Sequence, residues 1–327
     1  MQRREFIGFL GGAAAWPLAA RAQQPTMPVI GILAVASPEA TTIRMRALRE
    51  GLRLEGYVEG QNVKIEYRWA EAHTGRLPEL ARQLVHDHVA VLVSAGGTAS
   101  ALAVKAATAS IPIVFGSAAD PIELGLVASL NRPGGNVTGV TSLNIELEPK
   151  RLELLHELLP SVSTMALLVN PGVPALAERS LRVSQTAAQR LGLQLHAVYA
   201  SNNRDFDAAF EKVSQLRAGA LVIAPDNLFI ARSKELAALT VRHALPAVYQ
   251  FREFAAAGGL MSYGTSETEY YRLIGTYAGR ILKGEKPAEL PVQQSTKVEL
   301  FLNLKTAKAL GISIPLPLSG RADEIFE

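Results

Sequence analysis

The chain has 327 residues, of which 48% are hydrophobic and 19% charged, which excludes a disordered polypeptide and supplies enough apolar side chains for a large core or two domains. Its 33 basic and 30 acidic side chains nearly cancel, and no Lys/Arg cluster suited to nucleic acid interrupts that balance. The absence of cysteine removes disulfides, thiolate metal sites, thiol nucleophiles and a lipid-bearing N-terminal cysteine together.

Residues 1–22 carry Arg3 and Arg4, an apolar run over 6–20 broken by glycines and Pro17, and Ala20-Arg21-Ala22. This three-part pattern predicts a signal peptide cleaved after Ala22 and delivery to the periplasm. A membrane span needs about 20 apolar residues, and this run is shorter. Arg3-Arg4-Glu5-Phe6-Ile7 is similar to a twin-arginine export signal, with Sec export the alternative.

Residues 28–34 form a first apolar strand, and Ser37-Pro38-Glu39 opens a helix running to about residue 56. Residues 62–69 alternate as a half-exposed strand, and 75–87 read as an amphipathic helix. The run 89–94 is continuously apolar up to Ser94, as expected of a parallel strand buried on both faces. Gly96 and Gly97 let the chain turn, Thr98 can cap a helix over 99–108, and Pro112 restarts an extended segment at 113–115. That strand runs into Gly116-Ser117-Ala118-Ala119-Asp120-Pro121, so two small, hydroxyl-bearing loops meet at one sheet edge. A further strand covers 136–140.

A second series of strands follows Pro149, at 164–169, 193–200, 218–224, 247–250 and 260–263, with helical stretches between them. The tail adds a helix over about 267–283, a crossing bounded by Pro287 and Pro291, a strand near 297–303 and a short helix ending at Gly311. Alternating strands and helices predict parallel sheets, and two such series predict two lobes of an α/β protein with a cleft between them. The expected division is lobe 1 over 23–142 with about 266–285, and lobe 2 over 143–265 with about 286–327.

In open α/β sheets, ligands bind outside the carboxyl ends of the strands. Gly97, Thr98 and Ser100 could hold a carboxylate at a helix N-terminus, where unpaired amides concentrate positive potential, or they could form an ordinary cap. Ser117 stands in the same position on the next loop. Asp120 could pair with an ammonium, although an Asp-Pro pair more often starts a turn. Asp226 and Asn227 end an apolar strand of the second series, which makes Asp226 the better ammonium partner. Tyr263 could cover a ligand or be a half-buried tyrosine, and Ser37 is either a donor to a solute or the cap of its helix. None of the six histidines falls at a strand end, and no P-loop, G-x-G-x-x-G, G-x-S-x-G or H-E-x-x-H occurs, so no cofactor, metal or catalytic residue is expected.

GYVEGQNVKIEYRWA at 56–70, IPIVFGSAADPIELGLVASLNRPGGNVTGV at 111–140, PKRLELLHELLP at 149–160, REFAAAGGLMSYG at 252–264, GRILKGEKPAELPVQQ at 279–294 and NLKTAKALGISIP at 303–315 together resemble one family. It is that of ABC transporter substrate-binding proteins that includes the tryptophan/tyrosine uptake receptors. The resemblance covers nearly all of the chain after the leader. It implies a periplasmic-binding-protein-like fold, a parallel sheet flanked by helices in each lobe and a ligand cleft between the lobes. The implied partners of this monomer are a small zwitterionic or anionic solute, most naturally an amino acid, and an ABC permease with its ATPase. Alternatives of other classes are an exported α/β enzyme working between the lobes and a ligand-sensing module.

Overall fold

The computed structural model describes residues 27–142 and 144–327 of the chain, so the predicted leader lies outside the described residues. The first sheet is built from β1 (Val29–Ala34), β2 (Lys64–Trp69), β3 (Val91–Ser94), β4 (Ile113–Ser117) and β5 (Val137–Thr141). Between them run α1 (Thr42–Leu54), α2 (Leu77–His86) and α3 (Gly97–Ala107). The strands lie in the order β2-β1-β3-β4-β5 and are parallel, with β1 next to both β2 and β3. The order therefore reverses between β1 and β3, the place where an open α/β sheet leaves a crevice for a ligand.

The second lobe repeats the device. After α4 (Glu148–Leu158) come β6 (Thr164–Val169), α5 (Pro174–Arg190), β7 (Gln194–Tyr199), α6 (Asp205–Gln215), β8 (Ala220–Ile223), α7 (Asn227–Ala231), α8 (Ser233–Arg242), β9 (Ala247–Tyr249), α9 (Arg252–Ala256) and β10 (Met261–Thr265). Here the order is β7-β6-β8-β9-β10, reversing between β6 and β8. Each sheet is packed on both faces by apolar side chains, which is why β3, β4, β6 and β8 read as unbroken hydrophobic runs.

The chain then returns to the first lobe as α10 (Glu267–Leu282), which packs along α1, and as β11 (Gln293–Gln294), which pairs with β5. It ends in the second lobe with β12 (Val298–Asn303), α11 (Leu304–Ala309), α12 (Leu316–Ser319) and β13 (Glu324–Phe326). β12 runs antiparallel to β10, the one departure from parallel pairing in either sheet among the described residues, because it re-enters its sheet from the hinge end. The tail thus corrects one boundary of the expected lobe division. The segment 286–294, assigned above to lobe 2, sits on lobe 1, where Leu290 and Val292 are buried and Leu290 O accepts from Thr138 Oγ1 at 2.7 Å.

Among the described residues, the lobes are joined at 142 and 144–147, 265–267 and 295–297. The three crossings hydrogen-bond to one another: Ser295 N donates to Thr141 O at 2.9 Å, Ser266 N to Lys297 O at 2.9 Å, Thr265 N to Asn144 Oδ1 at 3.1 Å, and Thr265 Oγ1 to Ser142 O. The fully buried Arg151 braces them from α4, its Nη2 donating to Asn144 O at 2.6 Å and its Nε to Tyr263 O at 2.7 Å. Among the described residues, no helix is long and apolar enough to cross a membrane.

Candidate functional site: the cleft between the lobes

The ends of both switch-point strand pairs open onto one cleft between the lobes. Lobe 1 lines it with Val35 and Ala36 after β1, residues 95–99 at the β3–α3 turn, Ala118 after β4, Arg44 from α1, and Glu267, Tyr270 and Tyr271 from the start of α10. Lobe 2 contributes Val173 and Leu176, Pro225, Asp226, Asn227 and Ile230 after β8, and Gln250 and Phe251 after β9. Ser142, Asn144 and Thr265 of the hinge form the floor.

The lobes stand in contact around this cleft. A Cβ built on Gly97 would lie 2.8 Å from Asn227 Oδ1 across the gap, and Gly97 has φ +69°, a backbone conformation that favours glycine there. Beside the cleft, Ala119, Ile145 and Leu176 bury one another, and Arg179 Nη1 of α5 reaches Glu123 Oε1 at 2.7 Å. This is the closed arrangement of a two-lobed molecule.

Four of the residues singled out from the sequence line the cleft. Gly97 and Thr98 open α3, which no side chain caps, so its first-turn amides are left for a ligand. Asp226 and Asn227 face them from lobe 2. Asp226 is 8% exposed, and its Oδ1 accepts from Leu228 N at 2.8 Å and from Asn170 Nδ2 at 2.9 Å. Burial pushes its carboxyl up while these bonds pull the other way, so it is a desolvated acid that gains by meeting a cation.

The other candidates have local duties. Ser100 Oγ accepts from Gly96 N at 3.0 Å and donates to Gly97 O, so it folds the turn from behind. Ser117 Oγ is spent on Thr98 Oγ1 at 3.0 Å and on Ala119. Asp120 Oδ1 caps the Ile122 and Glu123 amides outside the cleft. Ser37 caps the turn before α1, its Oγ accepting from Ala40 N at 3.5 Å and its carbonyl from Thr41 Oγ1 at 3.0 Å. Tyr263 lies short of the end of β10, packed on the lobe 2 core. Ser100→Ala and Ser117→Ala are accordingly expected to cost about 1 kcal/mol of stability each and to leave solute affinity within about threefold of the parent, by urea denaturation and calorimetry.

The sequence reading missed a charged pair. Arg44 Nη2 meets Glu267 Oε1 at 2.9 Å, both side chains at least nine-tenths buried, with the guanidinium 5.8 Å from the Phe251 ring and 5.9 Å from that of Tyr271. Burial pushes the Glu267 carboxyl up to about 8, Arg44 pulls it down and Glu253 of α9 raises it further. An acid raised above its ordinary 4.5 binds more protons folded than unfolded. Its contribution to stability is full below about 4.5 and is lost as pH rises through about 8. Thermal melts of Glu267→Gln should therefore fall less steeply than those of the parent between about pH 5 and 8.

A family model described as ABC transporter substrate binding protein matches residues 29–326. The chain belongs to that family. Across 86% of its length it is 25% identical to a curated tyrosine-binding protein of Clostridioides difficile, covering 80% of that relative. Among solved structures, it is similar to a conserved domain protein of Vibrio cholerae, with TM-score 0.85 and 27% identity over 92% of this chain and all of that one. It is also similar to an ABC domain from Streptococcus pneumonia in complex with L-Trp, with TM-score 0.83 and 25% identity over the same shares. The switch-point cleft of this family member is thus set in the two-lobed fold of substrate-binding proteins.

Proposed function

We propose that this protein is the exported receptor of an ABC importer, which closes on an amino acid and presents it to a membrane permease. One observation carries the reading: the uncapped N-terminus of α3 on lobe 1 faces the desolvated Asp226 carboxylate on lobe 2 across a closed cleft. A helix N-terminus attracts an anion and a buried carboxylate attracts a cation, so a zwitterion satisfies both and draws the lobes together. Gly97, Thr98 and the following amide take the carboxylate, and Asp226, with Asn227 beside it, takes the ammonium. The tyrosine-binding relative and the L-Trp complex support the amino-acid class. The arginine pair, apolar run and Ala-x-Ala site at the N-terminus support export to the periplasm.

Native mass spectrometry of the purified protein, followed by a thermal-shift screen of the amino acids, tests this reading. A bound solute stabilises the closed form by RT ln(1 + [L]/Kd), about 2.7 kcal/mol at 100 Kd, so at least one amino acid should raise Tm by several degrees. A flat screen, with a non-zwitterionic metabolite in the mass spectrum, would contradict it.

A further inference from the structure

Beside the Asp226 terminus, on the lobe 2 side, the cleft has a second polar group. Gln250, 2% exposed, lines the cleft directly after β9. The Tyr249 hydroxyl sits 3.3 Å from Asp226 O, to which it donates its only proton, so it receives Gln250 Nε2, also at 3.3 Å, as an acceptor. In this arrangement Gln250 Nε2 is bonded and Oε1 is the free end. Oε1 is buried and has no hydrogen-bond partner in the protein; nor has Arg44 Nε, whose residue lines the same cleft. Each is a buried polar atom whose desolvation goes uncompensated, and such atoms are found paired in folded proteins. The rings of Phe251 and Tyr271, which also line the cleft, flank the Arg44 guanidinium.

Building on the amino-acid reading, we infer that Gln250 reads the solute's side chain: Gln250 Oε1 accepts a hydrogen bond from it, selecting an amino acid that ends in a donor, such as a phenolic hydroxyl, ring N–H or carboxamide, over its hydrocarbon counterpart. A hydrocarbon side chain would displace solvent from Gln250 and leave Oε1 orphaned. A site built to bond a substrate hydroxyl or N–H discriminates strongly for this reason, whereas a merely apolar pocket does not.

Calorimetry on matched pairs tests it: tyrosine against phenylalanine, tryptophan against its benzothienyl analogue, and glutamine against methionine. In the pair whose size the cleft accepts, the donor-bearing member is expected to bind about 10-fold to 100-fold more tightly. Gln250→Met should bring that ratio to within about threefold of unity by weakening the donor-bearing member alone. A parent ratio near unity in every pair that binds overturns the inference while leaving the amino-acid reading intact. Equal weakening of both members by Gln250→Met assigns Gln250 to the ammonium and also overturns it. If no member of any pair binds, the inference falls, and the amino-acid reading is decided separately by the thermal-shift screen.

Discussion

Asp226→Asn is expected to weaken solute binding by roughly 30-fold to several-thousandfold, because removing one member of a buried ion pair costs about 2–5 kcal/mol, much of it from the charge left alone. The substitution is a clean one in this setting. Asparagine keeps an oxygen for the Leu228 amide and for Asn170 Nδ2, and it is as good an N-cap for α7 as aspartate. The fold should therefore survive, and desolvation that now pushes the carboxyl up would be relieved. Calorimetry with a verified solute, alongside circular dichroism, reads the effect. Binding within about threefold of the parent would remove Asp226 from the site.

Gly275→Val is expected to destabilise the protein by about 3 kcal/mol or more and to lower Tm by roughly 5 °C or more. A Cβ on Gly275 would overlap the carbonyl of Leu48, and one on Gly51 would overlap that of Arg272, so α1 and α10 touch backbone to backbone on both sides. A backbone carbonyl in a helix cannot move aside as a side chain can. The same contact sets Arg44 against Glu267 at the cleft, so affinity should fall with stability. Gly75→Ala is the control: nothing lies within 4 Å of its added Cβ, and its Tm should stay within about 1–2 °C of the parent. Thermal denaturation of the three proteins decides the matter.

These two residues mark the limits of what could be read from the sequence. Asp226 was legible because a continuous apolar strand ended in Pro225-Asp226-Asn227, and the ends of switch-point strands face the ligand. Gly97 and Thr98 were legible for the same reason. Gln250 and Phe251 directly follow β9 and obey the same rule, which was there to be applied. Ser100 and Ser117 have the right chemistry in the right loops, but their hydroxyls turn inward to backbone partners, a direction that residue type does not encode. Arg44, Glu267, Tyr270 and Tyr271 sit on helices, and reach the cleft only because α1 and α10, distant in sequence, pack closely through glycines. Local spacing carries no trace of that pairing. The segment 286–294 misled for a related reason: its two-residue strand is too short to announce itself, and its pairing with β5 is a tertiary fact.

The central claim is that one lobe holds a carboxylate and the other an ammonium of the same small molecule. Titrating the protein with its best amino acid, with the N-acetyl derivative of that amino acid and with its carboxamide tests this most directly, because each derivative removes one charge and keeps the side chain. The account expects each to bind at least about 30-fold more weakly than the parent amino acid, with Asp226→Asn reducing the penalty for N-acetylation. Binding of the N-acetyl derivative as tight as that of the free amino acid would contradict it.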